Sequence, residues 1–208
     1  DEAQKYYANI LWPLGGIILK KIQEIQKLNI PIKIIAPSHG PLYNRPEFIL
    51  KAYRSWVFDP PGNIVVLPYI SMHGTTHRMV EYLVGAWVDR GATVKQFDLA
   101  ATDLGKLAAA LVDAATLVVA APTVMAGMHP GMVEPVFLTN LLRPKLKFVS
   151  IIGSYGWGGK MVEQIAAMIP NLKVEVLAPV VCKGFPRETD FKVLDNLAAA
   201  IAQKHKDM

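Results

Sequence analysis

The residues with the clearest chemical potential lie in three loops, each directly after a predicted buried strand. The first loop, Ser71-Met72-His73-Gly74-Thr75-Thr76, combines hydroxyls with the free N–H groups of a predicted helix N-terminus. It contains no Lys or Arg and matches neither a Walker loop nor the glycine spacing of a dinucleotide fingerprint. The loop favours one terminal phosphate, as in a mononucleotide; in the alternative interpretation, Thr75 or Thr76 is only a helix N-cap.

The other two loops combine small residues with flat side chains. In Pro122-Thr123-Val124-Met125-Ala126-Gly127-Met128-His129-Pro130, small residues would let the backbone approach a planar ring. In Gly153-Ser154-Tyr155-Gly156-Trp157-Gly158-Gly159, four glycines surround two aromatic rings. Each loop alone could be an ordinary connection. Because ligands of open parallel sheets bind beyond the carboxyl ends of the strands, the three loops together predict a site for a flat cofactor with a phosphate tail.

Alternating strands and helices are predicted to bring these loops to one edge. Apolar runs such as 64–69 are typical of buried strands, and the one-sided apolar spacing in 76–90 is typical of a helix. The same patterns predict strands at 93–97, 116–121, 147–152 and 173–177, and helices at 103–111, 131–142, 159–168 and 188–204. This alternation predicts an α/β fold in which helices cover both faces of a parallel sheet.

The first 58 residues follow a different pattern. They predict helices at 16–28 and 46–57 and one short strand at 32–36, which are too few elements to bury an ordinary core. Two prolines and a glycine then interrupt the chain. We therefore predict a partial segment at 1–58, a linker at 59–62 and a complete unit at 63–208. Unless the segment packs on something else, it should expose the apolar side chains of Ile17, Ile18, Ile22 and Ile25.

The composition excludes several classes of protein. The 208 residues are 52% hydrophobic, which allows a real core, and their net charge of +5 is scattered without the basic clusters of a nucleic-acid surface. One cysteine excludes a disulfide framework. The longest apolar runs are far shorter than a membrane span, and because residues 1–5 are not a basic leader followed by an apolar stretch, we expect no signal peptide. We expect a cytoplasmic protein that binds neither membrane nor nucleic acid.

The three loops together resemble the FMN loops of the flavodoxin-like module of flavodiiron proteins (A-type flavoproteins). The stretch Tyr6-Tyr7-Ala8-Asn9-Ile10 and the turn Ala36-Pro37-Ser38-His39-Gly40-Pro41 are similar to the end of that family's metallo-β-lactamase-like module. The resemblance covers essentially the whole chain, whereas a flavodoxin alone would not carry the first 58 residues. It implies a flavodoxin-like, doubly wound sheet of five parallel strands in the order 2-1-3-4-5, preceded by a partial αβα segment of the lactamase-like domain.

The resemblance also implies a function. Family members reduce dioxygen to water or nitric oxide to nitrous oxide at a non-haem di-iron centre, to which FMN relays electrons. His39 matches a di-iron ligand, but the family's other ligands, including a His-x-Glu-x-Asp-His motif, do not occur in this sequence. We therefore expect an incomplete di-iron site and no catalytic residue in this chain. The implied partners are rubredoxin or a flavin- or deazaflavin-type reductant, and a second copy in a head-to-tail homodimer or higher oligomer.

By the same resemblance, the first loop should hold the FMN phosphate and the other two loops should enclose the ring, with Tyr155 or Trp157 stacked on it. The expected contacts are Ser71, Met72, His73, Gly74, Thr75, Thr76, Pro122, Thr123, Val124, Met125, Ala126, Gly127, Ser154, Tyr155, Gly156, Trp157 and Gly158. Val124, Met125 and Ala126 stand where the family usually has asparagines, so contact there is expected through the backbone.

Other interpretations remain open at this stage. The chain could be a non-catalytic flavodoxin-like interaction module, or a standalone flavoenzyme of the NAD(P)H:quinone type. His73 and His129 could tune a bound flavin by their charge or have no role. Cys182 is expected to be buried and Met132 to lie in the core, while Asp98 and Asp103 are expected at the surface.

Overall fold

A computed structural model describes residues 2–208, so Asp1, the first residue of the predicted segment 1–58, lies outside the described residues. The chain begins with a continuous helical run. It consists of α1 (Glu2–Tyr6), a π-helical turn (Tyr7–Leu11), a 3-10 turn (Trp12–Leu14) and α2 (Gly15–Lys27), and it is followed by α3 (Pro46–Phe58). The sequence indicated α2 and α3 but not the helical structure at 2–14, where Pro13 interrupts the helical pattern.

Strands and helices then alternate as predicted. The strands are β1 (Gly62–Tyr69), β2 (Thr93–Asp98), β3 (Ala114–Val124), β4 (Gly127–Met128), β5 (Phe148–Tyr155), β6 (Glu175–Val176) and β7 (Val180–Lys183). The helices are α4 (Thr75–Asp89), α5 (Leu104–Leu111), a 3-10 turn (Pro130–Met132) leading into α6 (Val133–Leu142), α7 (Met161–Ala167) and α8 (Glu188–Lys206).

The sheet has the predicted flavodoxin-like order. Its strands run β2-β1-β3-β5-β6, and β7 also pairs with β5. All of these pairings are parallel, whereas β4 folds back antiparallel onto the end of β3. Because β6 and β7 pair with successive parts of β5, they share the fifth position, which confirms the order 2-1-3-4-5.

Helices cover both faces of the sheet. On one face, α4 and α8 pack through Met79, Leu83, Trp87 and Leu194, all of which are fully buried. On the other face, α5, α6 and α7 form a second apolar cluster, which also contains residues from the N-terminal helical run. The inner strands are buried on both sides, as their continuous apolar runs predict.

Two predicted strands differ from the structure. The prediction of a strand at 32–36 is wrong. Within residues 2–208, Ile35 forms a single antiparallel bridge with Tyr43, and the rest of that segment pairs with no strand. The strand expected at 173–177 shrinks to the two exposed residues of β6, and the chain pairs with β5 again only at β7, which the sequence did not indicate.

The N-terminal helical run packs on the doubly wound unit through α5. Tyr7, Ala8 and Trp12 are buried in the same cluster as the α5 side chains, and burial raises the pKa of Tyr7 to about 12. At the edge of this contact, Lys5 Nζ lies 2.9 Å from a carboxylate oxygen of Asp103, which also caps α5. The segment therefore has one face packed on the rest of the chain.

The remaining surface of the N-terminal segment is strongly apolar. Ile17 and Ile25 are exposed, as the sequence predicted, but Ile18 and Ile22 are half-buried because α2 packs against α3. Further exposed apolar side chains are Ile10, Leu14, Leu28, Ile30, Ile32, Ile34, Leu42 and Phe48. No helix within residues 2–208 combines the length and the apolar character that crossing a bilayer requires.

A buried histidine ties α8 to the amino edge of the sheet. Asn63 donates its amide N–H to the Gly91 carbonyl, so Asn63 Oδ1 faces His205 Nδ1 at 2.7 Å and requires a proton there. His205 Nε2 then accepts from Thr116 Oγ1 at 2.6 Å. This arrangement satisfies a neutral imidazole, and burial lowers the pKa of His205 below its ordinary value of 6.5.

We expect this histidine to make folding pH-dependent. Because the folded state holds the proton less tightly than the unfolded state, the free energy of unfolding should fall as the pH drops below about 6.5. The fall should end below the folded-state pKa. His205→Gln should lower stability at pH 7.5 but shrink the difference between pH 7.5 and 5.5, as measured by urea denaturation. An equal pH difference in wild type and variant would contradict this assignment.

Candidate functional site

A pocket of about 380 Å³ opens at the carboxyl edge of the sheet, where the three predicted loops meet. It is lined by Met72, His73, Thr75, Thr76, Pro122, Thr123, Val124, Met125, Ala126, Ser154, Tyr155, Gly156, Trp157 and Gly184. All of these except Gly184 belong to the set predicted from the sequence. Ser71, Gly74, Gly127 and Gly158 were also predicted but do not line it.

The first loop builds an open helix N-terminus. Gly74 is the N-cap of α4 with a φ of +79°, a conformation that favours glycine, so neither Thr75 nor Thr76 is the N-cap. Ser71 Oγ accepts the N–H of His77 at 3.2 Å. The N–H groups of Thr75 and Thr76 have no intrahelical acceptor, because they stand in the first turn.

Thr76 adds an unpartnered hydroxyl to this helix end. Its side chain is 1% exposed, and Oγ1 has no hydrogen-bond partner within residues 2–208. A buried hydroxyl without a partner costs free energy, so its presence beside two free N–H groups fits a group that accepts hydrogen bonds. A phosphate monoester meets this requirement, and the helix dipole favours its charge.

The second loop is a tight β-hairpin. Thr123 pairs with Met128 and Val124 with Gly127, which leaves Met125 and Ala126 as a two-residue turn with φ of +50° and +60°. Two positive φ angles are typical of a type I′ turn, which favours Asn-Gly. Because Met125-Ala126 stands in place of such residues, the sequence did not predict a hairpin here. The strained turn faces the pocket.

Two contacts from the third loop and α7 hold this hairpin. The Lys160 N–H donates to the Ala126 carbonyl at 2.8 Å, and Gln164 Oε1 accepts the Met128 N–H at 2.6 Å. Gly127 lies against the Gln164 side chain, which explains why it does not reach the pocket.

Relief of strain in the turn should stabilise the protein. We expect Ala126→Gly to raise the free energy of unfolding by about 0.5–1 kcal/mol, because glycine adopts positive φ without a steric penalty. The exposed helical Ala200→Gly is the matched control and should lower it by about 1 kcal/mol. Thermal or urea denaturation of the cofactor-free proteins measures both; a loss of stability in Ala126→Gly would contradict the strain.

The third loop supplies flat side chains, and its backbone is open at Gly156 but tightly packed where it leaves β5 at Gly153. Tyr155 is half-buried at the end of β5, and Trp157 is 86% exposed at the pocket mouth. A Cβ on Gly156 would meet no heavy atom within 4 Å, whereas one on Gly153 would collide with the Ala121 carbonyl oxygen. Gly158 instead lines a small neighbouring cavity with Thr123 and Tyr155.

Gly184 is the pocket residue that the sequence analysis missed. It follows β7 with a φ of +69°, and its N–H donates to the Tyr155 carbonyl at 2.8 Å. The Lys183-Gly184 step would have indicated a loop at this edge if β7 had been recognised as a strand.

His39 lies far along the chain from these loops, in the N-terminal segment. It is exposed, its Nδ1 is 2.9 Å from Ser38 Oγ, and its ring stacks on Tyr6 with centroids 5.3 Å apart. Within residues 2–208, no three His, Cys, Asp or Glu side chains form a group that could hold a metal ion. The described residues therefore do not fit a di-iron centre, which needs several nitrogen and oxygen ligands.

The remaining candidates have structural roles. His129 accepts the Gly131 N–H at 3.1 Å and caps the 3-10 turn before α6. Cys182 and Met132 are buried, as predicted, and burial raises the pKa of Cys182 to about 11. Asp103 is at the surface, as predicted, and pairs there with Lys5.

The strand order and the three-layer packing define a flavodoxin-like fold. A solved flavodoxin from the domain Archaea covers 69% of this chain and 99% of its own, with a TM-score of 0.60 at 23% identity, which is a likeness of fold alone. No protein-family model matches the chain.

Two longer proteins match essentially the whole chain. Nitric oxide reductase of Moorella thermoacetica is 37% identical in an alignment of 213 positions that covers 100% of this chain and 53% of that protein. The structure of rubredoxin oxygen:oxidoreductase from Desulfovibrio gigas has a TM-score of 0.91 at 28% identity over 98% of this chain and 52% of its own. Flavodiiron proteins are thus among its relatives and structural neighbours. The chain spans about half the length of the curated relatives it matches.

Proposed function

We propose that residues 63–208 bind FMN noncovalently and that the chain is the electron-transfer part of a flavodiiron-type oxidoreductase. The observation that carries this proposal is the buried Thr76 hydroxyl, which lacks a partner at an open helix N-terminus. The similarity to a nitric oxide reductase and to a rubredoxin oxygen:oxidoreductase supports the reaction class.

The residues present fit the cofactor at both of its ends. Thr75 and Thr76 would hold the phosphate through their N–H groups and the Thr76 hydroxyl, without any cationic side chain in the pocket lining. The hairpin at Val124–Ala126 and the loop at Tyr155–Trp157 line the same pocket and would contact the ring.

The chain contributes binding and orientation rather than acid–base chemistry. When bound, FMN would supply reversible electron transfer. The helix N-terminus would neutralise phosphate charge, the hairpin held by Gln164 would present its backbone to the ring, and Gly156 would leave room beside it. Tyr155 and Trp157 offer flat faces for stacking.

The terminal reaction is proposed for the complete protein rather than for these residues alone. We infer that residues 1–58 are the C-terminal part of a metallo-β-lactamase-like di-iron domain, with 59–62 as a linker and His39 as one iron ligand. Electrons would come from rubredoxin or from a flavin- or deazaflavin-type reductant, in a head-to-tail homodimer or higher oligomer in the cytoplasm. The electron acceptor would be dioxygen, reduced to water, or nitric oxide, reduced to nitrous oxide.

Titration of the purified chain with FMN tests the binding proposal. We expect quenching of flavin fluorescence with one FMN per chain, and flavin absorbance that stays with the protein through gel filtration. A colourless protein that ignores FMN would overturn the proposal and support an interaction module. Steady-state oxidation of NAD(P)H with a quinone would instead support a standalone flavoenzyme.

Iron analysis and gas consumption test the second part. The 208-residue chain should hold no stoichiometric iron and should not consume dioxygen or nitric oxide rapidly when its flavin is reduced. Stoichiometric iron with rapid turnover would contradict the assignment of residues 1–58 as an incomplete di-iron domain.

A further inference from the structure

A second cleft, of about 560 Å³, opens at the amino edge of the sheet, opposite the proposed FMN pocket. Its walls come from three segments that precede strands or join elements. They are the end of α3 with the first part of the linker at 58–61, the turn between α6 and β5 at 143–147, and the turn before β6 at 171–173. The cleft thus joins the linker to the doubly wound unit.

The lining of this cleft carries an excess of positive charge. Arg143, Lys145, Lys147 and Lys173 line it together with one carboxylate, that of Asp59. Within residues 2–208, none of the four cations forms an ion pair. Like charges gathered in a concave surface create a potential that attracts anions.

Lys145 anchors the floor of the cleft. It is half-buried, and its Nζ donates to the carbonyls of Asp59 at 2.7 Å and Ser55 at 3.3 Å, at the end of α3. An ammonium has three N–H donors, so one remains. Burial lowers the pKa of Lys145, and the carboxylates of Asp113 and Asp59 oppose this shift only in part, so an anion in the cleft would further compensate the buried charge.

The other three cations have no comparable structural role. Arg143, Lys147 and Lys173 are exposed at the rim, and none of their side chains hydrogen-bonds to another residue among 2–208. Between them lie rigid apolar walls, formed by Phe58, Pro60, Pro61, Pro144, Leu146 and Leu172. The cationic rim suits the charged part of an amphipathic anion, and the apolar walls suit its uncharged part.

We propose that this cleft binds an organic phosphate of nucleotide size, with its phosphates at the cationic rim and its apolar body against the proline walls. The volume lies within the roughly 300–1,000 Å³ of small-molecule sites. Prolines hold their backbone fixed, so the walls are preorganised for a compact ligand rather than for an extended acidic peptide. A bound ligand would touch both the linker and the doubly wound unit and would fasten one to the other.

Calorimetric titration with ATP tests the proposal on the full chain, with FMN added to occupy the other pocket. The double variant Lys147→Glu/Lys173→Glu removes two rim cations. Lys192→Glu/Lys206→Glu makes the same charge change at exposed positions of α8 and is the matched control. We expect ATP to bind at least tenfold more weakly to the rim variant and within twofold of wild type to the control.

Four further outcomes decide the case. ATP should bind more tightly than inorganic phosphate, since the apolar walls contribute, and should slow proteolysis of the linker at 59–62. Equal weakening in both double variants would overturn the proposal, because it would show only the effect of net charge. Binding of a polyglutamate peptide without binding of ATP would also overturn it, in favour of an acidic protein partner.

Discussion

Thr76→Val is expected to weaken FMN binding roughly 10- to 100-fold while making the FMN-free protein about 1 kcal/mol more stable. Valine has nearly the shape of threonine but lacks the hydroxyl. In the cofactor-free protein that hydroxyl is buried without a partner, so its removal relieves a cost. With phosphate bound, the same hydroxyl would form a hydrogen bond to a charged group, which valine cannot replace.

The opposite signs of the two effects distinguish a ligand-binding hydroxyl from a structural one. Flavin fluorescence titration gives the affinity, and urea denaturation without FMN gives the stability. Thr189→Val is the matched control, because Thr189 is the exposed second residue of α8 as Thr76 is the second residue of α4. A variant at Thr76 that lost stability and kept its FMN affinity would contradict the phosphate assignment.

Gly153→Ala should be the most damaging small substitution in the pocket region, with a loss of about 3 kcal/mol in the free energy of unfolding. Gly153 of β5 lies opposite Ala121 of β3, and a Cβ there would collide with the Ala121 carbonyl oxygen. It would also come within 2.8 Å of Met161 Cε. The carbonyl belongs to the backbone of the central strand, so it cannot move aside without disturbing the ladder.

Gly156→Ala is the matched control for this effect. It lies three residues further along the chain, just after β5, and a Cβ there would meet nothing within 4 Å. We expect its stability to change by less than about 0.5 kcal/mol, as measured by urea denaturation. Similar losses in both variants would mean that the loop tolerates no side chain, rather than that the β3–β5 contact is tight.

The sequence predicted the part of the fold that depends on hydrophobic patterning. Strands β1, β3 and β5 appear as continuous apolar runs because they are buried on both faces, and the amphipathic spacing of α4 and α8 follows from packing on one face. The loops between them could then be placed at one edge by topology alone. The position of the pocket therefore followed from the alternation of elements.

What could not be predicted depends on particular long-range contacts. The hairpin at Met125–Ala126 lacks the residues that favour its turn and is held by Lys160 and Gln164 from elsewhere in the chain. The fifth strand is divided because β6 and β7 meet different parts of β5. Gly184 reaches the pocket only through that second pairing, so no local pattern marked it.

Cys182 makes the folded state of this protein easy to monitor. It is the only thiol in the chain, it is 2% exposed in β7, and its Sγ lies 3.7 Å from Met79 Sδ. Burial also keeps it protonated near neutral pH, so an alkylating reagent should modify it only when β7 separates from the sheet. The rate at which molecules gain the mass of one label would then report how often β7, which precedes Gly184, opens. FMN should lower this rate without any change in the chemistry of the label.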